Sequence, residues 1–187
     1  MFTTLKNLIM TPSVSGREEN IRNLIEKLVS PLCDEVYTDA LGNLIAHKKG
    51  SDKNAKKLML CAHMDEIGFI VTFVEDSGFI RIAPIGGISS AASAYSEVIS
   101  EKGVLGVIVP DAETKPADYK ISSFYIDIGA KNKKEAEKKV AIGDFFVCRP
   151  SLSRLMGKRV CGRPLDDRVG CAVLLKIAEA FADTAPK

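Results

Sequence analysis

Leu58-Met59-Leu60-Cys61-Ala62-His63-Met64-Asp65-Glu66-Ile67-Gly68 is where the chain changes character. Its first five residues form an apolar run of strand length, which reads as a strand buried on both faces. The run delivers the chain to His63-Met64-Asp65-Glu66. Side chains at i and i+2 of a strand point the same way, so His63 and Asp65 are expected to project together from its end. In an open α/β sheet, ligands gather outside the carboxyl ends of the strands. A neutral imidazole there can bind a divalent metal while a neighbouring carboxylate orients the ring. Taken alone, H-x-D is short and common, and reads more simply as a hydrogen-bonded histidine beside an exposed acidic pair.

Upstream, the sequence predicts helices and a hairpin. Phe2 to Met10 reads as a short helix, followed by a turn over Thr11-Pro12-Ser13-Val14-Ser15-Gly16. Ser15 and Glu18 have the S-x-x-E spacing of a capping box. Ile21, Leu24, Ile25, Leu28 and Val29 then form one apolar helical face, which Pro31 ends. Val36–Thr38 and Leu44–His47 read as strands joined through Leu41-Gly42-Asn43, and Gly50–Lys57 as a solvated basic loop.

Downstream, from Ile67 to Arg163, short strands alternate with turn signals. Gly68–Val74, Phe79–Ala83, Val104–Val109, Phe124–Ile128 and Asp144–Arg149 are the clearest strands, and Asp76-Ser77-Gly78 is a hairpin turn. A Lys-, Glu- and Ala-rich helix near Lys133 to Val140 interrupts them. This is the pattern of a small β-barrel or sandwich. A helical period returns at Val169, with Val173, Leu174, Ile177, Ala178 and Phe181 on the same face. The expectation is therefore an α/β domain, residues 1–66 and 164–187, interrupted by an inserted β domain over 67–163.

The second chemical segment lies at the start of that last helix, in Gly162-Arg163-Pro164-Leu165-Asp166-Asp167-Arg168-Val169-Gly170. Two acids at a helix N-terminus serve as caps and complement the macrodipole. A carboxylate placed there can also bridge two metal ions, which two-metal hydrolases hold about 3.5–4 Å apart.

Composition excludes several classes. With 46% hydrophobic and 27% charged residues the chain is of ordinary globular make-up, and its net charge of +2 gives no reason to expect nucleic acid or an anionic membrane as partner. No stretch approaches the roughly 20 apolar residues needed to span a bilayer. The N-terminus lacks the order of a signal peptide, so a cytoplasmic location is expected. The five cysteines are odd in number and include no C-x-x-C pair, which argues against a disulfide framework or a zinc finger. Most are expected reduced and buried.

Taken together, the segments resemble the M42 aminopeptidases, relatives of the M28 and M18 metallopeptidases. The likeness runs through Pro12-Ser13-Val14-Ser15-Gly16-Arg17-Glu18, Asp39-Ala40-Leu41-Gly42-Asn43-Leu44 and Ala62-His63-Met64-Asp65-Glu66-Ile67-Gly68. It continues through Pro84-Ile85-Gly86-Gly87-Ile88, Asp127-Ile128-Gly129-Ala130, Ile142-Gly143-Asp144 and Leu165-Asp166-Asp167-Arg168-Val169-Gly170. The resemblance implies an α/β two-metal exopeptidase catalytic domain, here incomplete, interrupted by an inserted small β-barrel domain. It implies that His63 is a ligand of one metal, that Asp65 holds and tunes that imidazole as a catalytic acidic residue, and that Asp166 bridges both metals. The Asp166–Asp167 peptide is cis in much of the wider superfamily. The implied cofactor is a pair of divalent ions, zinc or cobalt. The implied reaction removes N-terminal residues from short peptides, in an oligomer built through the inserted domain.

The family pattern also calls for a Glu-Glu pair, a further Asp and a distal His, none of which can be placed here. The only other histidine, His47, lies in a strand that the family does not use for metal. A catalytic zinc site takes three protein ligands as a rule, and His63 with Asp166 falls short. The chain alone is therefore expected to be inactive, with apolar surface left uncovered beyond the last helix. The family's Pro-x-His-like stretch is also altered, since Gly106-Val107-Ile108-Val109-Pro110 leads into Asp111-Ala112-Glu113-Thr114-Lys115. Two other functions stand against the enzyme reading. One is a non-catalytic oligomerisation or regulatory fragment. The other is a glycoside hydrolase, which would set Asp65 and Asp166 about 5–10 Å apart across a sugar.

Overall fold

Helix α1 spans Phe2–Ile9 and buries Leu5, Leu8 and Ile9, the spacing of a single helical face. The structure, a computed structural model, describes residues 1–52, 54, 56–184 and 186. Lys53 and Ala55, inside the expected loop Gly50–Lys57, lie outside the described residues. Helix α2 covers Glu19–Val29 and closes in a 3-10 turn, Ser30–Leu32, that contains Pro31. Strands β1 (Glu35–Thr38) and β2 (Leu44–His47) pair antiparallel. The Asp39 carboxylate organises their turn, accepting the amides of Leu41 and Asn43, both at 2.9 Å, and the Asn43 side-chain amide at 2.8 Å. These bonds to the ionised form, the Asn43 side chain first, hold the Asp39 pKa below the ordinary carboxylate value.

The chain continues through β3 (Gly68–Val74), β4 (Ile80–Ile85), α3 (Ser90–Ser93), β5 (Glu97–Ser100), β6 (Leu105–Pro110), β7 (Phe124–Asp127), α4 (Lys133–Ala136) and β8 (Phe145–Cys148). It ends in a hairpin of β9 (Ser151–Arg154) and β10 (Val160–Arg163), followed by helix α5 (Arg168–Ala180). These elements form two compact units. One comprises Met1–Ser13, Arg17–Asp65 and Ser151–Lys187, and the other Val14–Gly16 and Glu66–Pro150.

The second unit is a closed antiparallel barrel of order β3-β4-β7-β6-β5-β8, which leaves no free sheet edge. Alternation along the strands sets inside against outside. Ile80 and Ile82 of β4 and Phe124 and Ile126 of β7 are buried, with Phe69, Val71, Val98, Ile108 and Phe146 completing the core. A bulge between Val71 and Phe73 turns Phe73 outward. Gly106 sits where β6 runs against β7: a Cβ there would lie 2.6 Å from Ile126 Cγ2 and 3.0 Å from the Asp127 carbonyl oxygen. Outside the barrel, the Arg81 guanidinium meets both Asp111 oxygens at 2.9 and 3.0 Å and also bonds Glu75.

The core of the first unit is helical. Leu5, Leu8, Ile9, Ile21 and Val29 pack with Cys171, Ala172 and Leu175, so α1 and α2 close on α5.

Several expectations are corrected. The barrel unit closes at Pro150 instead of Arg163, because β9 and β10 pair with each other and contact the helical unit through α1. Helix α2 starts at Glu19 with Glu18 itself at the N-cap and no side-chain cap bond, three residues too late for a box built on Ser15. Residues 58–62 form no strand. Leu58 and Met59 are 83% and 84% exposed, and no backbone ladder pairs them among the described residues. On α5 the buried stripe is Arg168, Cys171, Ala172 and Leu175, while Val169, Val173 and Phe181 are exposed. None of the cysteines is in a disulfide; only Cys148 and Cys171 are buried, and Cys61 and Cys161 are exposed. Strand β5, the short helix α3 and the β9–β10 hairpin were not marked by sequence pattern.

Candidate metal-facing histidine and carboxylates

Two local structures carry the candidate side chains, both within the helical unit. The first is the extended segment that ends at Asp65. The second is the start of α5, where Asp167 is the N-cap and its carboxylate accepts the Gly170 amide at 3.0 Å. Asp166 lies one residue before the cap, and the Asp166–Asp167 peptide is cis, as is Arg163–Pro164.

The structure brings His63, Asp65 and Asp166 together. His63 Nδ1 lies 2.9 Å from Asp65 Oδ1, and His63 Nε2 lies 3.1 Å from Asp166 Oδ1. The ring thus stands between two carboxylates that are far apart in sequence. Asp166 is 94% exposed, His63 55% and Asp65 28% at the side chain. Partial burial disfavours the charged imidazolium, but hydrogen bonds to Asp166 and then Asp65 outweigh it and raise the His63 pKa above its ordinary value.

The backbone of His63 is also held. The buried Cys171 thiol donates to the His63 carbonyl at 3.3 Å. Burial pushes that thiol up to about 11, so it remains a protonated donor at neutral pH. Arg168, the next residue after Asp167, is fully buried and donates to the Leu8 carbonyl, which ties the start of α5 to α1. Sequence pattern gave Arg168, Gly170 and Cys171 no roles. His47 sits at the exposed end of β2 and joins no ligand cluster among the described residues.

The donor types suit a divalent ion. A proton on Nδ1 toward Asp65 would leave Nε2 free to hold an ion, whereas the 3.1 Å bond to Asp166 needs the imidazolium form with a proton on Nε2 as well. The donor number does not make a closed site: no group of three or more metal-capable side chains exists among the described residues.

Comparison with known proteins identifies the family. The profile of the M42 glutamyl aminopeptidases matches residues 42–187. A protein of Acetivibrio thermocellus that carries an aminopeptidase name is 42% identical, across 98% of this chain and 55% of its own. A lysyl aminopeptidase of Pyrococcus furiosus is 36% identical, across 96% and 54%. Among solved structures, an endoglucanase of Thermotoga maritima superposes with a TM-score of 0.84 at 39% identity, covering 94% of this chain and 54% of that one. The TET1 peptidase of Pyrococcus horikoshii, which assembles into a tetrahedron or a large octahedral shell, superposes with a TM-score of 0.85 at 34% identity, covering 97% and 56%. The chain belongs to the M42 glutamyl aminopeptidase family. It spans about half the length of the curated relatives it matches.

Proposed function

We propose that this chain supplies one side of a two-metal aminopeptidase active site, with His63 and Asp166 facing the metals and Asp65 orienting the imidazole. The observation that carries this reading is the His63 ring held between Asp65 and Asp166 in a chain of the M42 family. Bound divalent ions, zinc or cobalt, would polarise a peptide carbonyl and lower the pKa of a water. This chain's own contribution is to fix the His63 tautomer through Asp65 and to present Asp166, the most exposed of the three side chains, toward the ions. The substrate class is short peptides with a free N-terminus, and the location cytoplasmic. Because one histidine and one carboxylate fall below the usual ligand count, the chain alone is inactive in this account.

The test is an assay of the purified chain with Zn²⁺ or Co²⁺ on aminoacyl chromogenic substrates, with His63→Ala as control. Metal-dependent turnover abolished by the control would refute the inactivity claim and point to ligands supplied between copies. Turnover that survives the control and a chelator would refute the metal reading.

A second role rests on the barrel unit. Phe73, Leu105 and Val107 are exposed apolar residues on its outer face, and the Pyrococcus horikoshii relative assembles into closed shells. We propose that the barrel mediates self-association, and that a non-catalytic assembly role is what remains if the site is inert. Light-scattering mass of the purified chain tests this, with a strict monomer as the contrary result. The glycoside hydrolase alternative gains a name from the Thermotoga maritima structure. The geometry argues against it, because the His63 ring occupies the space between Asp65 and Asp166 that a glycosidic oxygen would need.

A further inference from the structure

Helix α5 touches the candidate site at more than its cap. Its third residue, Gly170, donates its amide to the Asp167 carboxylate at 3.0 Å. A Cβ on Gly170 would lie 2.6 Å from Asp167 Cγ and closer still to both carboxylate oxygens. The Asp167 carboxylate must therefore swing aside to admit any side chain at 170, which moves the capping oxygens from their present place. Asp167 is covalently joined to Asp166, whose carboxylate faces His63 Nε2 at 3.1 Å. The next residue, Cys171, is buried and donates its thiol proton to the His63 carbonyl at 3.3 Å. One helical turn therefore holds both partners of the His63–Asp166 contact, the acid through its neighbour's cap and the histidine through its backbone.

We propose that Gly170 and Cys171 are positioning residues that set the approach of Asp166 to His63 Nε2, Gly170 by leaving room for the capping Asp167 and Cys171 by anchoring the His63 backbone. The inference rests on the reading of His63 and Asp166 as the metal-facing pair. Its geometry stands without a bound ion. Neither residue touches substrate or ion, and each acts through another. The close fit at Gly170 is a steric property of this turn and not a backbone requirement, since this glycine has no positive φ.

The test is NMR of the chain labelled with ¹⁵N-histidine, at one fixed pH. The chain has two histidines, so His47 serves as an internal reference and His63→Ala assigns the other. In the wild type, where the imidazolium carries a proton on each nitrogen, both His63 ring nitrogens should resonate as N–H groups donating to carboxylates. In Gly170→Ala the Nε2 signal should move to the position of an unpartnered nitrogen while Nδ1, on Asp65, stays in place. In Cys171→Ala both His63 signals should move, and Cys171→Ser, which keeps a donor, should restore them. If Gly170→Ala fails to fold, Asp167→Ala takes its place, since it removes the capping oxygen without adding volume and must give the same selective change at Nε2. The proposal is overturned if Nε2 is unmoved in the folded variants, or if His47 shifts with His63, which would report general loosening. Addition of Zn²⁺ separates the two readings. Selective Nε2 loss in Gly170→Ala, with a wild type that ignores Zn²⁺, supports the positioning role and sinks the metal assignment. Zn²⁺ shifts that are identical in wild type and Gly170→Ala sink the positioning role.

Discussion

Replacing Gly106 by alanine should destabilise the barrel, and truncating Ile126 should remove part of that penalty. The added Cβ would lie 2.6 Å from Ile126 Cγ2, and 3.0 Å from both the Asp127 carbonyl oxygen and Ile128 Cγ2. Overpacking of a tight core position costs about 1–3 kcal/mol. Ile126 is fully buried, and shortening it to alanine removes three carbons, about 2.4 kcal/mol of transfer energy at about 0.8 per CH₂, with a cavity term above that. The double variant has lost the Cγ2 that makes the closest contact but keeps the backbone oxygen. Its cost should therefore fall about 1 kcal/mol short of the sum of the single costs, a coupling well above the roughly 0.3–0.5 kcal/mol scatter of independent sites. Urea unfolding followed by tyrosine fluorescence suits the measurement, because Tyr95, Tyr119 and Tyr125, three of the four tyrosines, lie in the barrel unit. Strict additivity, or a neutral Gly106→Ala, would refute the close approach of β6 and β7.

Leu58→Ser should leave stability within about 0.5 kcal/mol of wild type, since the side chain is exposed; a loss of about 2 kcal/mol in thermal or urea unfolding would mean that the segment is packed after all. His63→Gln should cost stability more at pH 5 than at pH 8. A pKa raised in the folded state gives stabilisation that is complete below the unfolded value of about 6.5 and is lost as pH rises through the folded value. Exposure of the ring limits that difference to less than about 1 kcal/mol, and an equal cost at both pH values in urea titrations would contradict it. Asp144→Ala should cost about 1–2 kcal/mol in the same unfolding assay, because it leaves the Ala141 amide and the Lys102 ammonium without an acceptor they meet at 2.9 and 2.6 Å; a neutral result would contradict those bonds.

The barrel was legible because its strands alternate, as in Ile80-Arg81-Ile82, and because Asp76-Ser77-Gly78 punctuates β3 and β4. The helical unit was legible only in part. Leu58 to Ala62 has the composition of an interior strand, but a strand exists only where a neighbour completes its ladder, and none does so among the described residues. On α5 two apolar stripes compete. Tertiary packing chose the one with the small residues Cys171 and Ala172, against which α1 packs. The boundary near residue 163 was misplaced because a hairpin at the end of a run of strands looks the same in sequence whether it closes the barrel or leaves it. At the site, His63 and Asp65 do meet, although the strand from which their shared direction was expected does not form, and family resemblance supplied Asp166. Periodicity carries no trace of the thiol and the glycine on the following turn, whose effect exists only in three dimensions.

The most direct test of the central claim is calorimetric titration of Zn²⁺ into the metal-free chain, alongside His63→Ala and Asp166→Ala. The prediction is weak binding to the wild type, as two ligands allow, that both variants abolish while their folds persist by circular dichroism. Binding that survives either substitution would place the metal elsewhere and contradict the assignment of His63 and Asp166.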